Sequence, residues 1–106
     1  MDSTNDAACE LNNRYLDGVV KEIKENKTHV IVISTLGKGE KPGNLERARL
    51  NRAFSMLSTV KGSNSESIIT AISQKASDKE GHLDFFVGGE LVLRSFAKRG
   101  ENICFQ

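Results

Sequence analysis

The first apolar pattern in the chain has the period of a helix. Six apolar residues in its first quarter recur at spacings of three and four, and this spacing places them on one stripe of an α-helix. They are Leu11, Tyr15, Leu16, Val19, Val20 and Ile23. The pattern predicts an amphipathic helix over residues 7–25 whose apolar stripe covers a sheet.

A short run without any polar position follows this helix. Residues 30–33 are Val, Ile, Val and Ile, which is typical of a strand that is buried on both faces. Residues 36–43 then combine three glycines with the only proline of the chain, a composition that excludes regular structure. The sequence therefore predicts a central strand that leads into a flexible loop.

A second helix is predicted directly after this loop. Asn44 is a suitable N-cap, apolar residues keep a helical period behind it, and Gly62 ends the segment. Residues 68–72 form a second β-like run. Because a strand, a helix and a strand of this length usually close as a right-handed parallel crossover, we expect the two strands to be parallel.

The last regular pattern is that of a β-hairpin. Leu83, Phe85 and Val87 alternate with other residues, and Leu91 and Leu93 resume the alternation. The two glycines at positions 88 and 89 offer a two-residue turn between them. The sequence thus predicts a terminal β-hairpin.

Size and charge narrow the function classes. The 106 residues suit one domain, residues 1–106, with one core. Fifteen basic and fourteen acidic residues leave a net charge of +1, so the chain lacks the basic footprint of a nucleic-acid binder. The longest apolar run is far shorter than the roughly 18 residues of a membrane span. Residues 1–6 lack the features of a secretory signal, so the chain as written is expected to be cytoplasmic or a mature fragment.

No catalytic or metal-binding constellation stands out. His29 and His82 are the only histidines and lie in no zinc-binding spacing, so we expect no enzyme, no metal and no cofactor. Cys9 and Cys104 are the only cysteines. They are either two free thiols or a disulfide that joins the two ends of the fold; we favour the disulfide, which would imply an oxidising compartment.

The glycine-rich loop and the helix behind it are the best candidate site. A loop between a buried strand and a helix N-terminus favours anions, although residues 37–43 match neither the dinucleotide nor the P-loop motif. Arg47, Arg49 and Arg52 follow on the helix. They are either a solvated face balanced by Glu46 or a fork for a carboxylate or phosphate.

The run from residue 29 to residue 57 resembles the centre of the OmpA-like domain family. Leu45, Glu46, Arg49, Leu50 and Leu57 occupy the positions of the family's Leu, Ser, Arg, Ala and later Leu. Residues 36–40 and 86–91 match a divergent branch that carries Arg-Leu-Gly-x-Gly-Glu in the loop and Tyr-Val-Gly-Gly-Lys-Leu in the hairpin. The resemblance spans residues 11–93. It implies an α/β domain of the α+β sandwich type, with two helices packed on a small mixed sheet that ends in a β-hairpin.

The resemblance also implies a ligand. OmpA-like domains hold peptidoglycan without a covalent bond, and an aspartate and an arginine grip the diaminopimelate of its stem peptide. Arg49 matches that arginine, while Thr35-Leu36 stands in place of the family's Thr-Asp, so Glu40 is our candidate for the missing acid. Gly37, Gly39 and Arg52 complete the expected ligand-binding set. The family's first strand has no counterpart in residues 1–10.

Two functions follow as expectations. The first is a non-catalytic cell-envelope module that binds the stem peptide, with Arg49 taking a carboxylate and Glu40 an ammonium group. It would be periplasmic or at the cell surface if a signal peptide precedes residue 1. The alternative is a protein–protein module on the same scaffold that has lost its ligand. It would bind another envelope protein through the C-terminal hairpin or the exposed edge of that hairpin.

Overall fold

A computed structural model describes residues 3–105, with side chains from Cys9 onward. The chain forms an α+β domain of two helices and a four-stranded mixed sheet. Its elements are α1 (Ser3–Asn26), β1 (Val30–Thr35), α2 (Leu45–Ser55), β2 (Ile68–Ile72), β3 (His82–Val87) and β4 (Glu90–Phe96). A π-helical turn (Met56–Val60) extends α2, and a 3₁₀ turn (Ser65–Ser67) precedes β2. In the described residues no strand precedes α1, and no helix is long and apolar enough to cross a membrane.

The strand order is β2-β1-β3-β4. β1 pairs with β2 in parallel and with β3 antiparallel, and β3 and β4 form an antiparallel hairpin. The central position of β1, the parallel crossover to β2 and the terminal hairpin are therefore confirmed. β2 and β4 are the two edges of the sheet.

Both helices contribute to one core on one face of the sheet. α1 contacts β3 and β4, whereas α2 contacts β1 and β2. Four members of the predicted stripe of α1 are buried: Leu16, Val19, Val20 and Ile23. Leu11 and Tyr15 are 45% and 52% exposed, so their assignment to the buried stripe is wrong. Tyr15 directly precedes the fully buried Leu16, so the buried stripe of α1 is narrower than the predicted one.

The prediction that β1 is buried on both faces is also wrong. Val30 and Val32 face the helices and are fully buried, but Ile31 is 37% exposed on the other side. Side chains alternate along a strand, and the helices cover only one face. We call the uncovered side of the sheet the open face.

The turn of the hairpin is the one that the sequence predicts. Gly88 and Gly89 have φ angles of 60° and 85°, a left-handed pair that suits a two-residue turn. Beyond the turn, β4 does not keep a regular alternation opposite β3. A bulge pairs Leu93 with Phe85 and Leu91 with Phe86, so the two leucines lie on opposite faces.

The start of α2 differs from the prediction as well. The side chain of Asn44 makes no capping hydrogen bond. The backbone N–H of Gly43 instead donates to Glu46 Oε1 at 3.0 Å, and Glu46 is only 5% exposed. At the other end, Gly62 ends the helical segment as predicted, with a φ of 76°.

Candidate functional site

The centre of the predicted site is a buried ion pair between Glu40 and Arg49. Arg49 Nη1 and Nη2 donate to the two carboxylate oxygens of Glu40 at 2.9 and 2.6 Å. The side chain of Glu40 is 2% exposed, and that of Arg49 is 0% exposed. Two parallel charge-assisted hydrogen bonds of this kind are the strongest arrangement that arginine and a carboxylate can form.

Backbone groups complete the coordination of both side chains. Arg49 Nε donates to the carbonyl oxygen of Glu101 at 3.0 Å, and Nη2 also reaches the carbonyl oxygen of Lys98 at 3.4 Å. The N–H groups of Gly37 and Gly100 each donate to a carboxylate oxygen of Glu40 at 2.7 Å. The pair therefore joins the glycine-rich loop, helix α2 and the segment after β4.

This environment holds Glu40 in its charged form. The hydrogen bonds from Arg49 lower the pKa of Glu40 to about 2, and the N–H groups of Gly37 and Gly100 act in the same direction. Burial opposes the shift, because it disfavours a charge. The hydrogen-bond donors lower the pKa of Glu40 by more than the loss of hydration raises it.

The backbone approaches this ion pair so closely that it requires glycine. A Cβ atom on Gly81 would overlap Arg49 Nη1 and lie 2.7 Å from Glu40 Oε1. A Cβ atom on Gly37 would overlap the backbone nitrogen of Gly81. The role of Gly81 is missed by the sequence motifs, because its contact with Arg49 depends on how the loop before β3 folds over α2.

The other two predicted site residues lie at the edge of this cluster. Gly39 has a φ of 83°, and a Cβ atom there would lie 2.5 Å from the guanidinium group of Arg99. Arg52 donates through Nη2 to the carbonyl oxygen of Phe105 at 3.1 Å. The structure therefore brings Gly37, Glu40 and Arg49 into direct contact, whereas Arg52 binds the C-terminal segment separately.

Glu40 and Arg49, the predicted ligand-binding acid and base, bind each other in the structure. The carboxylate bound to Arg49 is that of Glu40, and the cation bound to Glu40 is the guanidinium group of Arg49. Arg49 is fully buried. An incoming carboxylate would have to displace Glu40 and leave its charge buried without a partner, which is strongly unfavourable.

A disulfide fixes the C-terminal segment that covers this pair. Cys9 of α1 and Cys104 are bonded, with their Cα atoms 5.0 Å apart. Ile103 and Phe105 on either side of Cys104 are 3% and 1% exposed within the core. This is the pairing that the sequence favours, and it is compatible with an oxidising, extracytoplasmic compartment.

A second polar cluster lies on the open face of the sheet. Arg94 Nε and Nη2 donate to the two oxygens of Asp84 at 2.5 and 3.0 Å, and these hydrogen bonds raise the pKa of Arg94. His82 Nε2 lies 3.6 Å from Asp84 Oδ2, and its ring packs edge-on against Phe96. The bulge in β4 places Arg94 opposite Asp84, so the hairpin motif by itself does not give this pair.

Apolar residues cross the open face beside this cluster. One residue from each strand lies in a single cross-strand row in the order Ile69, Ile31, Phe86 and Leu91. Ile69, Ile31 and Leu91 are 46%, 37% and 48% exposed. We call these four residues the apolar row. In the part of the chain that the structure describes, no helix packs over it.

Neither cluster has the composition of a metal site. Among the described residues, no group of three or more His, Cys, Asp and Glu side chains is placed to hold a metal ion.

The chain was also compared with known proteins. No family model, curated protein or solved structure matches it. The resemblance to OmpA-like domains therefore rests on the motifs in residues 11–93 alone.

Proposed function

We propose that this chain is a non-catalytic protein-interaction module that associates with a second copy of itself through the open face of its sheet. We place it in an oxidising compartment, in the periplasm or at the cell surface, as the disulfide suggests. The apolar row carries the proposal. Monomeric proteins rarely expose contiguous apolar patches larger than roughly a few hundred Å², and patches above that size mark interaction sites.

The charges beside the row favour a second copy as its occupant. Asp84 and Arg94 carry opposite signs side by side, and the Arg94 side chain remains 45% exposed. In an interface with two-fold symmetry, the same surface of each copy forms both sides of the contact. The two apolar rows would then pack together, about 10 Å apart as sheets do. The Asp84–Arg94 pair of each copy has no net charge, so the two pairs can lie at the rim of the interface without like-charge repulsion.

The state of Arg49 supports protein binding over peptidoglycan binding. Peptidoglycan binding of the kind found in OmpA-like domains requires an arginine that is free to bind a carboxylate of the stem peptide. Here Arg49 already makes four hydrogen bonds within the chain. The hairpin, in contrast, contributes Phe86 and Leu91 to an exposed surface.

The experiment is a measurement of molar mass by sedimentation equilibrium over a wide range of protein concentrations. The wild-type protein should shift from monomer to dimer as the concentration rises. Leu91→Lys should remain monomeric, because it places a charge in the apolar row. Leu11→Lys is the matched control, since Leu11 is similarly exposed at 45% but lies on α1. It should dimerise like the wild type.

Methyl NMR spectra of the isoleucines give an independent readout. Resonances of Ile31 and Ile69 should shift with concentration in the wild type, and not in Leu91→Lys. A wild-type protein that stays monomeric at every concentration would overturn the proposal. Equal loss of dimer in Leu91→Lys and Leu11→Lys would do the same, because it would assign the association to another surface.

A further inference from the structure

The edge strand β2 lacks the charged residues, the proline and the bulge by which proteins often protect a sheet edge. Exposed edges are commonly blunted by charged residues, proline or bulges, because unpaired backbone groups attract another strand. β2 consists of Ile68, Ile69, Thr70, Ala71 and Ile72, without a charge or a proline. It pairs with β1 in a regular register without a bulge.

The opposite edge of the sheet is protected in this sense. β4 begins with Glu90, carries Arg94 in its interior and pairs with β3 through a bulge. A bulge bends the strand and interrupts the regular spacing of its backbone groups. Of the two edges, β2 is therefore the more suitable one for pairing with a further strand.

The backbone groups of Thr70 and Ile72 point away from the sheet. The N–H of Ser73 donates to the carbonyl oxygen of Ser34, and successive residues of a strand direct their hydrogen-bonding groups to alternate sides. Residues 69, 71 and 73 therefore face β1, and residues 70 and 72 face outward. Among the described residues, no backbone hydrogen bond outside the sheet uses the N–H or carbonyl groups of Thr70 or Ile72.

A groove runs between this edge and helix α2. It has a volume of about 300 Å³ and is lined by Arg47, Leu50 and Asn51 of α2 and by Thr70, Ala71 and Ile72 of β2. Arg47 is exposed and takes part in none of the ion pairs of the described residues. No acidic residue lines the groove. The site thus offers one cation, an apolar wall and a row of backbone donors and acceptors.

We infer that this groove binds an extended acidic peptide segment, which adds to β2 as a fifth strand. Backbone hydrogen bonds to Thr70 and Ile72 supply affinity, and side chains that point toward α2 supply specificity. A carboxylate of the segment pairs with Arg47, and the methylene groups of that same side chain pack against Leu50 and Ile72. The apolar neighbours of the acidic residue point to the opposite face of the sheet. The groove shares no lining residue with the apolar row or with the Glu40–Arg49 pair.

Charge argues against a second copy of the chain in this groove. Two β2 edges related by a two-fold axis would bring two Arg47 guanidinium groups to the same interface. The groove supplies no carboxylate to separate them, and like charges in close contact are unfavourable. An acidic segment meets the same cation with the opposite sign.

The probe is an acetylated, amidated octapeptide of four Val-Glu repeats, titrated into the isotope-labelled Leu91→Lys protein. This variant is expected to stay monomeric, so peptide binding is measured without dimerisation through the apolar row. Failure of the dimer proposal and failure of the peptide proposal therefore remain distinguishable. The peptide should bind saturably, and the largest amide shifts should be those of Thr70, Ile72 and Arg47. An octapeptide of four Val-Lys repeats should bind at least about tenfold more weakly, since it loses the charge-assisted contact.

Charge exchange makes the test specific. Arg47→Glu should weaken the Val-Glu peptide roughly tenfold and strengthen the Val-Lys peptide by a similar factor. Arg14→Glu on the exposed surface of α1 is the matched control and should leave the preference unchanged. Thr70→Pro should abolish binding of both peptides, because proline removes an outward N–H and blocks the edge, while an edge strand tolerates it.

Three results would overturn the inference. These are the absence of saturable binding at millimolar peptide, equal effects of Arg47→Glu and Arg14→Glu, or amide shifts centred on β4 instead of β2. Because the charge exchange relies on surface variants alone, the test does not depend on whether Thr70→Pro folds.

Discussion

Arg49 binds both carboxylate oxygens of Glu40 and, through its remaining N–H groups, two carbonyl oxygens of the segment after β4. The arginine that the family motif marks as a ligand-binding group is thereby a buried connection between distant parts of the chain. Substitution of Arg49 should therefore lower the stability of the fold, because all of these hydrogen bonds lie within the chain.

The first prediction concerns this stability. Arg49→Ala should lower the free energy of unfolding by about 3–5 kcal/mol, because it leaves the charge of Glu40 buried without a partner. Urea denaturation followed by circular dichroism measures the loss. Arg52→Ala is the control: it removes one hydrogen bond to Phe105 and should cost about 1 kcal/mol. A variant of Arg49 as stable as the wild type would contradict the internal role of the pair.

The second prediction concerns acid. Because the pKa of Glu40 falls from its usual 4.5 to about 2 in the folded state, its contribution is fully present above about pH 4.5. It should be lost as the pH falls toward 2, since protonation breaks the pair with Arg49. Unfolding free energies measured between pH 7 and pH 2 should decline less steeply in Glu40→Gln than in the wild type. Parallel curves for the two proteins would rule out this assignment.

The third prediction concerns the disulfide. Cys9 and Cys104 are 95 positions apart, and in the chain-entropy model closing a loop of this length stabilises by roughly 4–5 kcal/mol. Reduction should lower the melting temperature of the wild type, whereas the double variant Cys9→Ser/Cys104→Ser should melt at one temperature with or without reductant. Thiol titration of the unreduced, denatured wild type should detect no free thiol. Two free thiols would refute the bond.

The fourth prediction addresses the function that the family resemblance implies. The wild-type protein should not sediment with purified peptidoglycan above the level of an unrelated protein at low salt. The reason is that Glu40 occupies the guanidinium group that the stem peptide would need. Co-sedimentation of the protein with peptidoglycan that free diaminopimelate abolishes would instead support peptidoglycan binding.

Local patterns were sufficient to predict the elements of this fold. The spacing of Leu16, Val19, Val20 and Ile23 predicts α1, and Gly88 and Gly89 predict the turn of the hairpin. These signals depend on residues that lie close together in sequence, where helix period and turn geometry act directly. The helix and the turn can therefore be predicted without knowledge of the tertiary structure.

The faces and the partners were decided only by the tertiary structure. Ile31 lies on the open face because both helices pack on the other side, and a bulge beyond Leu91 moves Leu93 to the face that the helices cover. Glu40 accepts from Gly100, a residue 60 positions away. No local pattern encodes such contacts, because they form only when the loop, α2 and the C-terminal segment meet around one buried charge.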